Sequence, residues 1–174
     1  MFDLTLVGIG TGNPDHLTRQ AVLALNAADL ILIPRKGDTK ADLAELRRAI
    51  CADVVTNPAT KVVEFDLPVR DAANPDYLSR VDDWHDAIAQ CWATAIAATP
   101  GNTSRVALLV WGDPSLYDST LRIASRLVPA PRVTVIPGIT SMQALCAAHA
   151  IPLNDIGAPV LITTGRQLDR KSVV

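Results

Sequence analysis

The sequence predicts an α/β fold, a mostly parallel sheet with flanking helices. Three observations carry this prediction: short β-branched apolar runs, stretches of helical apolar spacing between them, and glycines and prolines clustered where the runs end. Strands buried on both faces read as continuous apolar runs, and parallel neighbours need a long crossover, usually a helix.

Residues 2–9 form a β-rich run that ends in the triplet Gly8, Gly10 and Gly12, so a strand delivers the chain into a glycine loop. Leu17, Ala21, Leu25 and Ala28 then fall on one helical stripe, completing a strand, loop and helix unit. Residues 29–33 are a second buried strand, stopped by Pro34. Leu43, Leu46 and Ile50 predict a helix over 40–51, and residues 61–67 a third strand.

A longer helix is expected over 77–98, with Val81, Trp84, Ile88, Trp92 and Ile96 on one stripe. Asp82, Asp83 and Asp86 read as its solvated side, and Trp84 and Trp92, sharing the apolar stripe, read as packing residues. Residues 106–110 make a fourth strand and lead through Trp111, Gly112, Asp113 and Pro114 to a helix over 119–127. Residues 132–136 make a fifth, leading through Pro137 and Gly138 to a helix that runs to His149. One further apolar run, 159–164, reads as a strand with only a short tail beyond it. The expected division is therefore a domain over 1–154, followed by a linker and the first strand of a truncated second α/β domain over 155–174.

Composition narrows the function. Sixteen Lys and Arg against 18 Asp and Glu, with a net charge of -2, leave no basic footprint for nucleic acid. No apolar stretch approaches the roughly 20 residues that cross a bilayer, and the start lacks a secretory signal, so the expected location is cytoplasmic and off the membrane. Cys51, Cys91 and Cys146 are widely spaced with no histidine at ligand spacing, which predicts reduced thiols and no metal site.

Three loops stand at carboxyl ends of predicted parallel strands, where open α/β sheets gather ligand-binding groups. The glycine triplet alone is a weak signal, since such triplets are often tight turns. Its spacing is not G-x-G-x-x-G and no acidic residue closes the second strand, which disfavours a Rossmann dinucleotide site, and the G-K-[ST] of a Walker A loop is missing. In the second loop Pro114 restricts Asp113 to extended backbone and so aims its carboxylate, although Asp-Pro also caps ordinary turns. The third loop sets Thr140 and Ser141 at a helix start, where they serve as an N-cap or leave first-turn amides to a ligand.

Together and in this order, the loops resemble those of the tetrapyrrole methylase family, the class III S-adenosyl-L-methionine (SAM) methyltransferases. Members carry a G-x-G-P-G-type loop followed by Leu-Thr, a G-D-P loop and a P-G-[IV]-[TS]-[SA] loop. Here these are Gly8, Gly10 and Gly12 with Leu17 and Thr18, then Gly112, Asp113 and Pro114, then residues 137–141, with Thr11 standing where the family usually has proline. Residues 111–123, 33–37 with 42–48, and 162–166 are most similar to members that methylate a corrin precursor and release acetate, and the expanded stretch 36–103 agrees.

The resemblance implies that SAM contacts Thr11, Trp111, Gly112, Asp113, Leu116, Thr140 and Ser141, and leaves as S-adenosyl-L-homocysteine (SAH). It implies methyl transfer to C-1 of precorrin-5 with loss of acetate, giving precorrin-6A in cobalamin (vitamin B12) synthesis, by a homodimer. Asp113 is the candidate catalytic group for deacetylation, with orientation of SAM as its alternative role. Arg35, Lys36 and Arg166 are candidates for the carboxylates of the tetrapyrrole, because forked guanidinium donors suit them, with solvated surface charge as the plain alternative. His16 and His149 read as acid–base candidates or as capping and packing residues. Other members (precorrin-2 or precorrin-4 methyltransferases, diphthine synthase) and a non-catalytic binding module stay open.

Overall fold

The computed structural model describes residues 2–35, 41–69 and 77–164. Five strands form one sheet: β1 (Asp3–Gly8), β2 (Leu30–Arg35), β3 (Lys61–Asp66), β4 (Arg105–Val110) and β5 (Arg132–Ile136). Their order is β3-β2-β4-β1-β5 and every pairing is parallel, with Leu6 opposite Leu108 on one side and Val135 on the other. Among the described residues five α-helices connect or follow them: α1 (Arg19–Ala27), α2 (Ala41–Val54), α3 (Tyr77–Ala98), α4 (Thr120–Ala124) and α5 (Ser141–His149). The predicted fold class is what forms.

Strand alternation sends side chains to two cores. Leu4, Leu6, Leu30, Leu32, Leu108 and Val110 pack on one face with Ile88 and Trp92 of α3 and Ile123 of α4. Val7, Ile9, Ile31, Ile33, Ala107 and Leu109 pack on the other with Ala21 and Leu25 of α1 and Ile50 and Cys51 of α2. Neighbouring strands β1 and β4 thus send their following helices to opposite faces, an arrangement that opens a crevice at their carboxyl ends.

Three local features differ from expectation. The buried stripe of α2 is Ala44, Arg47, Ile50 and Cys51, while Leu43 is 37% exposed, so a cation occupies a core position. The aspartates of α3 are more than a solvated side: Asp82 and Asp86 each hold Arg126 at 2.7 Å, linking α3 to the turn after α4. Residues 159–164 pair with no strand among the described residues; a ladder needs a partner to accept its hydrogen bonds.

Backbone packing divides the chain into Met1–Ser141 and Met142–Val174. The first unit contains the whole sheet and the loops at its carboxyl edge. The described part of the second holds the remainder of α5, closed by Ala150 at φ 52°, and an extended stretch in which the Ala158 amide donates to the Asp155 carbonyl. No helix among the described residues is long and apolar enough to cross a membrane.

Candidate functional site

The three loops meet backbone to backbone. Gly10 and Gly112 form an antiparallel bridge: the Gly112 amide donates to the Gly10 carbonyl at 2.7 Å, and the Gly10 amide returns a bond to Gly112 at 3.3 Å. Gly10 and Gly112 sit at φ 74° and 62°, left-handed geometry that glycine adopts without steric cost. A Cβ on Gly8 would stand 2.6 Å from the Gly138 nitrogen and 2.8 Å from the Gly112 oxygen, and one on Gly138 would collide with the same oxygen. These glycines are therefore required by close approach of three chain segments.

Asp113 locks that meeting. Its Oδ2 accepts the Gly138 amide at 3.0 Å, and its Oδ1 accepts the Ser115 amide at 2.8 Å and the Ser115 hydroxyl. Burial alone would raise its pKa, but the bonds from Ser115 and Gly138 outweigh that, leaving the carboxyl below its ordinary value. Pro114 is fully buried beside it, and Tyr117 carries a strained φ of 50° at the end of the same loop.

Around this junction lies a hollow of about 290 Å³. Its lining brings together Thr11, Trp111, Gly112, Asp113, Leu116, Thr140 and Ser141, the residues the sequence pointed to, and adds Gly10. The Trp111 indole N–H is buried with no hydrogen-bond partner among the described residues, and the Arg47 guanidinium lies 4.8 Å from the centre of its ring. His16 Nδ1 is 3.1 Å from the Thr11 hydroxyl, so this histidine steadies the first loop. A larger cavity, about 760 Å³ along edge strand β3 and α3, lies elsewhere; convergent polar groups, not volume, single out the strand-end hollow.

The substrate candidates fare differently. Arg35 at the end of β2 is held by Asp66 in a forked pair, 2.9 Å from Nε and 2.8 Å from Nη2, with Glu64 at 3.8 Å. Its donors are thus directed to the neighbouring strand. Lys36 and Arg166 lie outside the described residues. His149 is exposed in the last turn of α5. Trp92 is core, as expected, and half-buried Trp84 donates its indole N–H to the Pro68 carbonyl at 3.1 Å. Burial raises the Cys51 thiol to about 11, leaving it inert.

Arg47 escaped the sequence reading as a separate candidate. It is 8% exposed, its Nε donates to the Leu109 carbonyl and its Nη1 to the Leu43 carbonyl, both at 3.2 Å, and burial pulls its pKa down to about 10 against the opposing field of Asp118. The available signal was a cation between Ala44 and Cys51 on a helical stripe.

Residues 3–173 match the family described as Tetrapyrrole (Corrin/Porphyrin) Methylases. The chain belongs to the tetrapyrrole methylase family. Among curated members of that family it is 51% identical over 172 residues to a precorrin-6A synthase (deacetylating) of Sinorhizobium sp, an alignment covering 97% of this chain and 66% of that protein. The chain thus spans just under two thirds of that relative's length. Among solved structures, a putative cobalamin synthesis related protein (CobF) from Corynebacterium diphtheriae superposes with a TM-score of 0.76 at 39% identity, covering 99% of this chain and 68% of that one. A uroporphyrin-III C-methyl transferase from Thermus thermophilus, complexed with S-adenyl homocysteine, has a TM-score of 0.51 at 22% identity over 89% of this chain and 51% of that one, a likeness of fold.

Proposed function

We propose that the protein is a SAM-dependent C-methyltransferase of cobalamin synthesis that methylates precorrin-5 at C-1 and releases acetate, giving precorrin-6A. The observation that carries the proposal is the convergence of three glycine-bearing turns on one hollow lined by Thr11, Trp111, Asp113 and Thr140. The 51% identity to a precorrin-6A synthase (deacetylating) supports the choice of acceptor.

The hollow fits part of such a cofactor. Gly10 and Gly112, bonded to each other amide to carbonyl, put backbone without side chains on its wall, hydroxyls stand at Thr11, Thr140 and Ser141, and Trp111 brings an N–H with no partner among the described residues. At about 290 Å³ the hollow is at the small end of ligand pockets, so it grips only a portion of a molecule the size of SAM. When bound, the sulfonium supplies an already electrophilic methyl group.

What this chain contributes is alignment and exclusion of water. Asp113, ionised and accepting three hydrogen bonds, is a poor proton acceptor. In this reading it holds the second loop in register with the third rather than acting as the base for deacetylation. The cytoplasmic location expected from the sequence and the homodimer implied by the resemblance belong to the same proposal, the latter checked by light scattering.

The test is incubation with methyl-labelled SAM and precorrin-2, precorrin-4 or precorrin-5 in turn. Label transfer with acetate release from precorrin-5 alone is expected. Methylation of precorrin-2 would replace this reading with that of another family activity.

A further inference from the structure

We propose that Arg47, with the cavity it lines, forms a subsite that receives a carboxylate side arm of the acceptor. The inference rests on the tetrapyrrole methylase reading for the identity of that acceptor.

Arg47 is buried on α2, facing the carboxyl ends of β2 and β4. Its Nε and Nη1 are used by two carbonyls, while Nη2 has no hydrogen-bond partner and no carboxylate forms an ion pair with the guanidinium among the described residues. The field of Asp118 opposes the effect of burial on this guanidinium but no direct ion pair meets it among the described residues, so a buried cation keeps a donor nitrogen for a further anionic partner. Asp118 shares the cavity wall, but its Oδ1 accepts both the amide and the hydroxyl of Thr120 at the start of α4.

The cavity itself measures about 260 Å³, and Trp84, Trp92, Trp111, Tyr117 and Ser119 are among the residues that line it. It is too small for a tetrapyrrole macrocycle and large enough for one acidic substituent, with aromatic surface beside it for apolar ring edges. Trp111 lines both this cavity and the strand-end hollow, so an acceptor anchored here is adjacent to the methyl donor's site. Arginine suits the task, because Nη2 still offers donors to a carboxylate while Nε and Nη1 are held by carbonyls, and the guanidinium stays charged even when burial lowers its pKa.

The same Arg47 also lies over the Trp111 ring, so the test separates anchoring from support. Uroporphyrin I, a tetrapyrrole polycarboxylate, is titrated into the protein and into Arg47→Gln and Arg47→Lys, followed by its visible absorption, and SAH is titrated in parallel by calorimetry. Arg47→Gln is expected to weaken uroporphyrin about tenfold or more, and Arg47→Lys about threefold, with SAH affinity within about twofold of the parent. Circular dichroism checks that each variant folds; should Arg47→Gln fail, the lysine variant carries the comparison.

Unchanged uroporphyrin affinity in the folded variants, or no binding by the parent, overturns the subsite. An equal fall for both ligands also overturns it, by making Arg47 a support for Trp111; so does a fall for SAH alone, by making the methyl donor's carboxylate its partner. Loss of SAH binding by the parent counts against the methyltransferase reading itself, separately from the Arg47 comparison.

Discussion

Asp113 accepts the Gly138 amide through Oδ2 at 3.0 Å, and so couples the turn after β4 to the turn after β5. Residues 25 positions apart are thereby held in one junction, which the Gly10–Gly112 bridge extends to the turn after β1. A ligand in the hollow meets a surface that is set before it arrives, so little binding energy is lost in ordering the loops.

Replacing Asp113 by alanine leaves the Gly138 and Ser115 amides without their acceptor. A stability loss of about 1–3 kcal/mol is expected in denaturant titration. SAH affinity measured by calorimetry should fall about tenfold or more as the loops separate. Asp113→Asn keeps an acceptor oxygen for Gly138 and should lose less of both; equal losses in the two variants would show that the negative charge, not the brace, matters.

Gly138→Ala brings a methyl group into the Gly112 carbonyl, with rigid backbone on both sides. Its melting temperature should fall by the equivalent of about 1–3 kcal/mol or more, as in other overpacked sites. Gly157→Ala is the contrast, since nothing lies within 4 Å of the added atom, and only its φ of 73° opposes the change, at about 1–2 kcal/mol. A Gly138 variant as stable as the parent would mean that the loops do not approach as closely as described.

Thr18 accepts the Ala21 amide at 3.1 Å and caps α1, the helix that follows the first loop. Thr18→Ala should cost about 0.5–2 kcal/mol, and Thr18→Ser or Thr18→Asp should recover most of it in thermal melts.

Asp29 joins the edge of β4 to β2: it pairs with Arg105 at 2.6 Å, and the Arg105 hydrogen bonds hold its carboxyl below the ordinary 3.8 despite opposing burial. A depressed carboxyl contributes stability that is present above the unfolded value and is lost as pH falls through the folded one. The melting-temperature gap between the parent and Asp29→Asn should therefore be full at pH 7 and shrink below about pH 4. A gap that stays constant down to pH 3 would remove this pair from the acid response.

Much of this was legible in the order of residues, for local reasons. β1, β2 and β4 declare themselves because buried parallel strands must be apolar throughout, and α1 because its cap and stripe are local properties. Leu43 misled where Arg47 was buried: Arg47 falls within the stripe of Ala44, Ile50 and Cys51, and whether a cation can face inward there depends on what the neighbouring sheet offers. Trp111 and the Leu109 carbonyl supply Arg47 with partners that no helical periodicity contains. Arg35 reads in the sequence as a candidate for the acceptor's carboxylates, and only the β2–β3 register, which sets Arg35 opposite Asp66, shows that it is already paired.

By itself the sequence determined the fold class, the strand-end turns and their residue types, because hydrophobic periodicity and glycine or proline stereochemistry act over a few neighbours. Tertiary structure alone decided that Gly8, Gly112 and Gly138 touch, that Asp113 is a brace with its oxygens engaged, and that Arg47 is a buried cation beside Trp111. Those facts depend on strand order and register, which bring distant segments within hydrogen-bonding and van der Waals range, and such distances are not encoded in any local pattern.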